Sequence, residues 1–142
     1  MQNITNKLGS KKLLIAVIQN GDKILMRKKP AGSLPYKETW YLFGCEPKPD
    51  QEDSSTLTQY AKENLGIDIH SIVPIGEDSE VKQDYDGLVK KFVYVSFDCF
   101  YRNGIPKVPA GAESVEWIAK DKLHKYDIVP PSVKLFKKMG IY

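Results

Sequence analysis

The sequence is poor in cysteine, in long apolar runs and in net charge, and each shortage removes a class of protein. Its two cysteines, Cys45 and Cys99, lie far apart with no C-x-x-C pair and no histidine cluster beside either. That argues against a zinc site and against a disulfide framework, so reduced thiols are expected. The longest uninterrupted apolar run, Leu13 to Ile18, is six residues, far short of the roughly 18 needed to cross a bilayer. Lys11 and Lys12 precede it like a signal-peptide n-region, but the run is too short for an h-region and no small-residue cleavage site follows. No membrane association and a cytoplasmic location are expected. With 21 Lys+Arg against 18 Asp+Glu the net charge is only +3. The lysines are scattered, whereas nucleic-acid binders concentrate theirs on one face, so nucleic acid is not an expected partner.

What is present fits an ordinary soluble domain. At 42% hydrophobic and 27% charged residues, one core and one domain are expected, over residues 11–142 behind an N-terminal tail at 1–10. Leu13 to Gln19 and Lys23 to Arg27 read as strands joined across Asn20-Gly21, a pair suited to a type I′ hairpin turn. Residues 28–39, KKPAGSLPYKET, have no periodicity and form a long loop. Trp40 to Phe43 reads as a short buried strand ended by Gly44 and the turn-rich EPKPDQED. In residues 56–65 the apolar Leu57, Ala61 and Leu65 recur every four positions, Thr56 and Gln59 offer a capping box, and Gly66 stands at C′. A helix is predicted there. Strands are predicted over 67–75, 79–85 and 88–101. A second hairpin turn at Asn103-Gly104 leads to a strand over 114–119, and a helix follows over 131–139. Trp40 and Trp117 read as core residues. Helices packed on a mixed sheet make the expected class α+β.

The order of hairpin, long loop, W-Y-L-F-G, acidic turn and helix ending E-N-L-G-I resembles the Nudix hydrolase family. That family's signature is G-x5-E-x7-R-E-U-x-E-E-x-G-U, with U a bulky aliphatic residue. The matching stretch is Gly44 to Ile67, GCEPKPDQEDSSTLTQYAKENLGI. The resemblance implies an α/β/α sandwich with a mixed central sheet. Aligned on Leu65-Gly66-Ile67, the box is degenerate: Gln59 replaces the arginine, Tyr60 and Asn64 replace two glutamates, and only Glu63 survives. Asp50 keeps the spacing from Gly44, but the gap from Asp50 to Gln59 is one residue too long.

On an α-helix, positions 60, 63 and 64 share one face, where the family clusters carboxylates to hold Mg²⁺ against a diphosphate. Glu63 with one further acid would hold a single ion weakly, since Mg²⁺ needs only one or two protein carboxylates beside substrate phosphates. The resemblance offers Glu113 and Glu116 as that helper, as metal ligands with Glu63, and Glu116 with Glu63 as the catalytic pair. Solvated edge carboxylates are the competing reading of both. It likewise makes Arg27 a phosphate contact. Tyr36 and Tyr85 offer faces for stacking on a nucleobase, with packing the other reading of each. Lys28 and Lys29 read as solvated loop cations ahead of the wall of an anionic pocket. The expected function is binding of a nucleotide or other phosphate-bearing small molecule of nucleoside-diphosphate type, with Mg²⁺-dependent hydrolysis impaired or lost. The alternatives are an active Nudix hydrolase using Glu63 plus other acids, and a non-catalytic RNA- or protein-interaction domain.

Overall fold

The computed structural model describes residues 8–33 and 35–142. The tail placed at 1–10 lies mostly outside the described residues, and its last two positions already belong to β1 (Gly9–Asn20). Among the described residues seven strands make one sheet in the order β3 (Trp40–Tyr41), β2 (Lys23–Lys28), β1, β6 (Val89–Asn103), β5 (Asp68–Gln83), with β4 (Phe43–Cys45) beside β1 and β7 (Ser114–Ala119) beside β2. The sheet is mixed because β1 and β6 (Val89–Asn103) run parallel from Gly9↔Lys90 to Gln19↔Phe100.

Alternation along β1 divides the core into two layers. Leu14, Ala16 and Ile18 face one way and pack with Leu57, Ala61 and Leu65 of the first helical segment. Val17 and the partly buried Ile15 face the other way and pack with Phe136 and Leu135 of α2 (Pro130–Lys138). One helix therefore covers each face of the sheet, giving the Nudix-like α/β/α sandwich.

Several local expectations shift. The first hairpin turns on Gly21-Asp22, since Asn20 still pairs with Lys23 of β2 (Lys23–Lys28). Among the turn residues only Gly21 has positive φ, which suits a type II′ turn and not I′. The W-Y-L-F-G run is two short strands: β3 (Trp40–Tyr41) pairs with β2, whereas β4 (Phe43–Cys45) pairs with β1. The chain changes partner at Leu42, because β1 and β2 diverge after their two hairpin pairs. A Cβ on Gly44 would lie 2.9 Å from Ile15 Cδ1 and 3.0 Å from Leu14 O, so β4 meets β1 at glycine.

Helix α1 (Asp53–Tyr60) begins three residues before Thr56 and continues as a π-helical segment, Ala61–Leu65. Thr56 is thus no cap. It is buried in the helix and donates its hydroxyl to Gln51 Oε1 and to the Glu52 carbonyl. The favoured start lies earlier because Asp53 places an acid in the first turn. Gly66 closes the segment in the left-handed conformation, as the sequence predicts.

The strands expected over 67–75 and 79–85 are one strand, β5 (Asp68–Gln83), whose register shifts around Ser71 and Ile75 let it bend without breaking. Asn103-Gly104 is not a hairpin turn. The following strand, β7 (Ser114–Ala119), crosses to pair with β2, where it buries Val115 and Trp117 against the core. Gly104 instead permits a close approach: at φ +104° its added Cβ would lie 2.5 Å from Gly66 O and 2.9 Å from Ile67 Cα. Gly104→Ala should cost about 2–4 kcal/mol through a strained φ and a backbone clash, read as a lower denaturation midpoint at unchanged m-value.

Candidate functional site

The divergence of β1 from β2 and the covering by α2 leave a cavity of about 580 Å³ on the α2 face of the sheet. Lys11, Leu13 and Ile15 of β1 and Phe92, Tyr94 and Ser96 of β6 form its floor. These residues share a face because β1 and β6 are in parallel register there. The α2 residues Lys134 and Lys138 stand on one side, and Tyr36 of the long loop on another. Tyr85, 74% exposed at the tip of the β5–β6 hairpin, also lines it.

Arg27, the half-buried penultimate residue of β2, lies where the chain changes strand. Its Nε donates to Leu42 O at 3.1 Å, the carbonyl at the change of partner. Among the described residues that is its one side-chain hydrogen bond, and no carboxylate lies within 4.0 Å of its guanidinium. Burial works against its charge and lowers its pKa, while the Tyr60 and Tyr41 hydroxyls oppose that effect. Lys29 Nζ lies 4.4 Å from the centroid of the Tyr41 ring, and Arg27 Cζ lies 5.6 Å from the same centroid. Desolvation, then the charges of Arg27 and Lys11, push the Lys29 amine down to about 8 against a weaker pull from Asp84. The Tyr41 hydroxyl is buried and has no hydrogen-bond partner among the described residues.

Several other charges on the wall are paired, whereas Lys138 and Glu77 have no ion pair within 4.0 Å among the described residues. Asp84 is buried and accepts from Lys11 at 3.2 Å and Lys90 at 3.0 Å. Burial tends to raise its pKa, but hydrogen bonds from Lys90, the Tyr85 N–H and Lys11 outweigh that and hold the carboxyl below its usual range. Lys134 pairs with Asp78 at 2.9 Å. Tyr36 and Tyr94 both donate to Glu80, with Lys82 Nζ 4.3 Å over the Tyr36 ring, so the long loop is fastened across the sheet.

The structure thus places Arg27, Tyr36 and Tyr85 on one cavity, whereas Glu63, Glu113 and Glu116 are exposed and line none of it. Glu63 accepts from the Gln59 amide at 3.0 Å, and Gln59 is held in turn by Lys48. Tyr60 packs half-buried against the core, while Glu63 and Asn64 are exposed, with the Asn64 amide donating to the Tyr60 carbonyl at 3.3 Å. Glu113 precedes β7, and the one side-chain hydrogen bond of Glu116 among the described residues is accepted from the Tyr126 hydroxyl at 3.5 Å. Among the described residues no three His, Cys, Asp or Glu side chains converge as a metal centre. The metal cluster implied by the Nudix resemblance therefore has no matching donor set on this helix.

Lys29 is no solvated loop cation but part of the cavity wall. Lys11, Asp84 and Tyr94 were missed as well. The odd-numbered alternation of Lys11 with Leu13 and Ile15 was a signal that could have found Lys11.

A sheet of this topology between two helices, with a loop-helix-loop after the W-Y-L-F-G crossing, is the Nudix fold. No family model matches the sequence. Nucleoside triphosphatase NudI of Enterobacter sp. (strain 638) is 22% identical over 135 residues, covering 91% of this chain and 96% of its own length. The MutT NUDIX hydrolase of Burkholderia pseudomallei has a TM-score of 0.72 at 19% identity, over 91% of this chain and 97% of that one. The NUDIX domain of Shewanella oneidensis NrtR, solved in complex with ADP ribose, has a TM-score of 0.71 at 14% identity, over 97% and 91%.

Proposed function

We propose that this Nudix-fold chain binds a nucleoside-diphosphate-type ligand in the α2-face cavity and that diphosphate hydrolysis is impaired or lost. The observation that carries the reading is the pair Arg27 and Lys29. Two desolvated cations lie beside one tyrosine ring with no carboxylate within 4.0 Å among the described residues, among which no carboxylate cluster suited to a metal converges. A phosphate would supply the missing anion and accept charge-assisted bonds from guanidinium donors that no described residue takes. Tyr36, Tyr85, Phe92 and Tyr94 give the same cavity aromatic surface for a base.

The test is a melting-shift series over nucleotides, dinucleotides, sugar nucleotides and ADP ribose, each with and without Mg²⁺. Diphosphate-bearing ligands should raise Tm in either condition, because a ligand of the native state alone stabilises it. No shift with any of them at millimolar concentration overturns the proposal. Mg²⁺-dependent phosphate release would favour the active hydrolase, the reading that likeness to NudI supports.

A pH dependence follows from Lys29. Its amine loses its proton near pH 8, so affinity for ADP ribose should fall as pH rises from about 7 to about 9, with the cation lost as the pKa is crossed. Calorimetric titration at several pH values checks this. Lys29→Met should bind more weakly at pH 7 and show a flat profile across the same range.

A further inference from the structure

Lys29 combines features that anion binding alone does not require. It is a half-buried amine on a cavity wall, 4.4 Å from an aromatic centroid, with no carboxylate within 4.0 Å among the described residues. Arg27, two residues earlier, faces the same ring. A lysine desolvated beside another cation is an activated nucleophile, because the neutral amine carries the reactive lone pair.

We infer that Lys29 is an acylation site at which the cavity docks an acyl phosphate with its phosphate on Arg27 and the Lys29 amine takes the acyl group. The inference rests on the proposed phosphate-binding reading and adds a regulation to it. The amine lone pair attacks the carbonyl carbon and a C–N bond forms. The C–O bond to phosphate then breaks, its electron pair leaves with the phosphate, and the nitrogen proton passes to solvent. No oxidant or further reactant is needed. The product amide is uncharged, so the cavity keeps its shape and loses one of its two unpaired cations at the Tyr41 ring. Acylation thereby weakens phosphate binding by the same chain.

The groups facing the amine set its state. Arg27 on β2 and Lys11 on β1 disfavour its proton, whereas Asp84 at the β5–β6 turn favours it. With an amine near 8, about half is neutral at pH 8, roughly a hundredfold more than for an ordinary lysine. Docking adds proximity on top of that fraction.

The experiment treats the whole protein at pH 8 with acetyl phosphate and, separately, with acetic anhydride, and measures initial acetylation rates at every lysine by peptide mass spectrometry. The ratio of the two rates at one lysine cancels its own nucleophilicity and leaves docking of the phosphate. That ratio should be about tenfold or more higher at Lys29 than at exposed lysines, and Arg27→Ala should bring it down to theirs. A ratio at Lys29 no higher than elsewhere, or no acetylation there, overturns the inference. The melting shift of the same sample with inorganic pyrophosphate separates the two claims. A shift without selective Lys29 acetylation overturns the acylation site alone, whereas absence of both overturns the phosphate-binding reading as well.

Discussion

Replacing Arg27 by methionine is expected to weaken binding of ADP ribose by about tenfold to a hundredfold, the equivalent of one charge-assisted hydrogen bond at about 1.5–3 kcal/mol. The side chain is aimed by its Nε bond to Leu42 O, and the rest of its fork is left to a ligand. Without ligand the same change should move stability by only about 1 kcal/mol, because two effects offset. The variant no longer holds a desolvated charge without a carboxylate, but it leaves the Leu42 carbonyl without that donor. Calorimetry and thermal melting together check the prediction. Unchanged affinity for every ligand that shifts the wild-type Tm would remove Arg27 from the site. A large loss of apo stability would instead mean that its bond to Leu42 holds the strand crossing together.

The triple variant Gln59→Arg, Tyr60→Glu, Asn64→Glu is expected to gain Mg²⁺-dependent diphosphate hydrolysis at least about tenfold above the parent, a barrier change of about 1.4 kcal/mol. The new carboxylate at position 60 would lie beside Arg27, whose charge Tyr60 already feels. The new arginine at position 59 would replace the Gln59 amide that now binds Glu63. The gain has a cost. Tyr60 packs against the helix-α1 core cluster, so in chelator the variant should lose about 2–4 kcal/mol of stability and recover part of it on adding Mg²⁺. Metal-dependent stabilisation without turnover would place the remaining defect in the π-helical segment and the loop before α1. Neither effect would mean that this helix does not occupy the Nudix-box position.

Much of the fold is written in local pattern. The alternation of Leu14, Ala16 and Ile18 against Ile15 and Val17 marks a strand buried on both faces. The four-residue spacing of Leu57, Ala61 and Leu65, closed by Gly66, marks a helix and its end. Those features depend on neighbours a few residues apart, and periodicity reports them. That Gln59, Tyr60 and Asn64 stand where the resemblance would put an arginine and two glutamates was read from the sequence alone.

What the tertiary structure decided depends on contacts between distant segments. That W-Y-L-F-G splits at Leu42 follows from the divergence of β1 from β2, and that divergence gives Arg27 its acceptor and opens the cavity. That Tyr60 packs half-buried against the core while Glu63 and Asn64 stay exposed was likewise decided by packing. Lys29 becomes half-buried only because β3, Arg27 and Lys11 surround it in space, and its lowered pKa is a property of that surrounding and not of the residue. Sequence by itself determined the first two strands, the two helices and the residue types of the box-like stretch, since those patterns are local. Only the packed chain decided which charges lose their water and stand without a partner, because desolvation is set by everything that folds around a group.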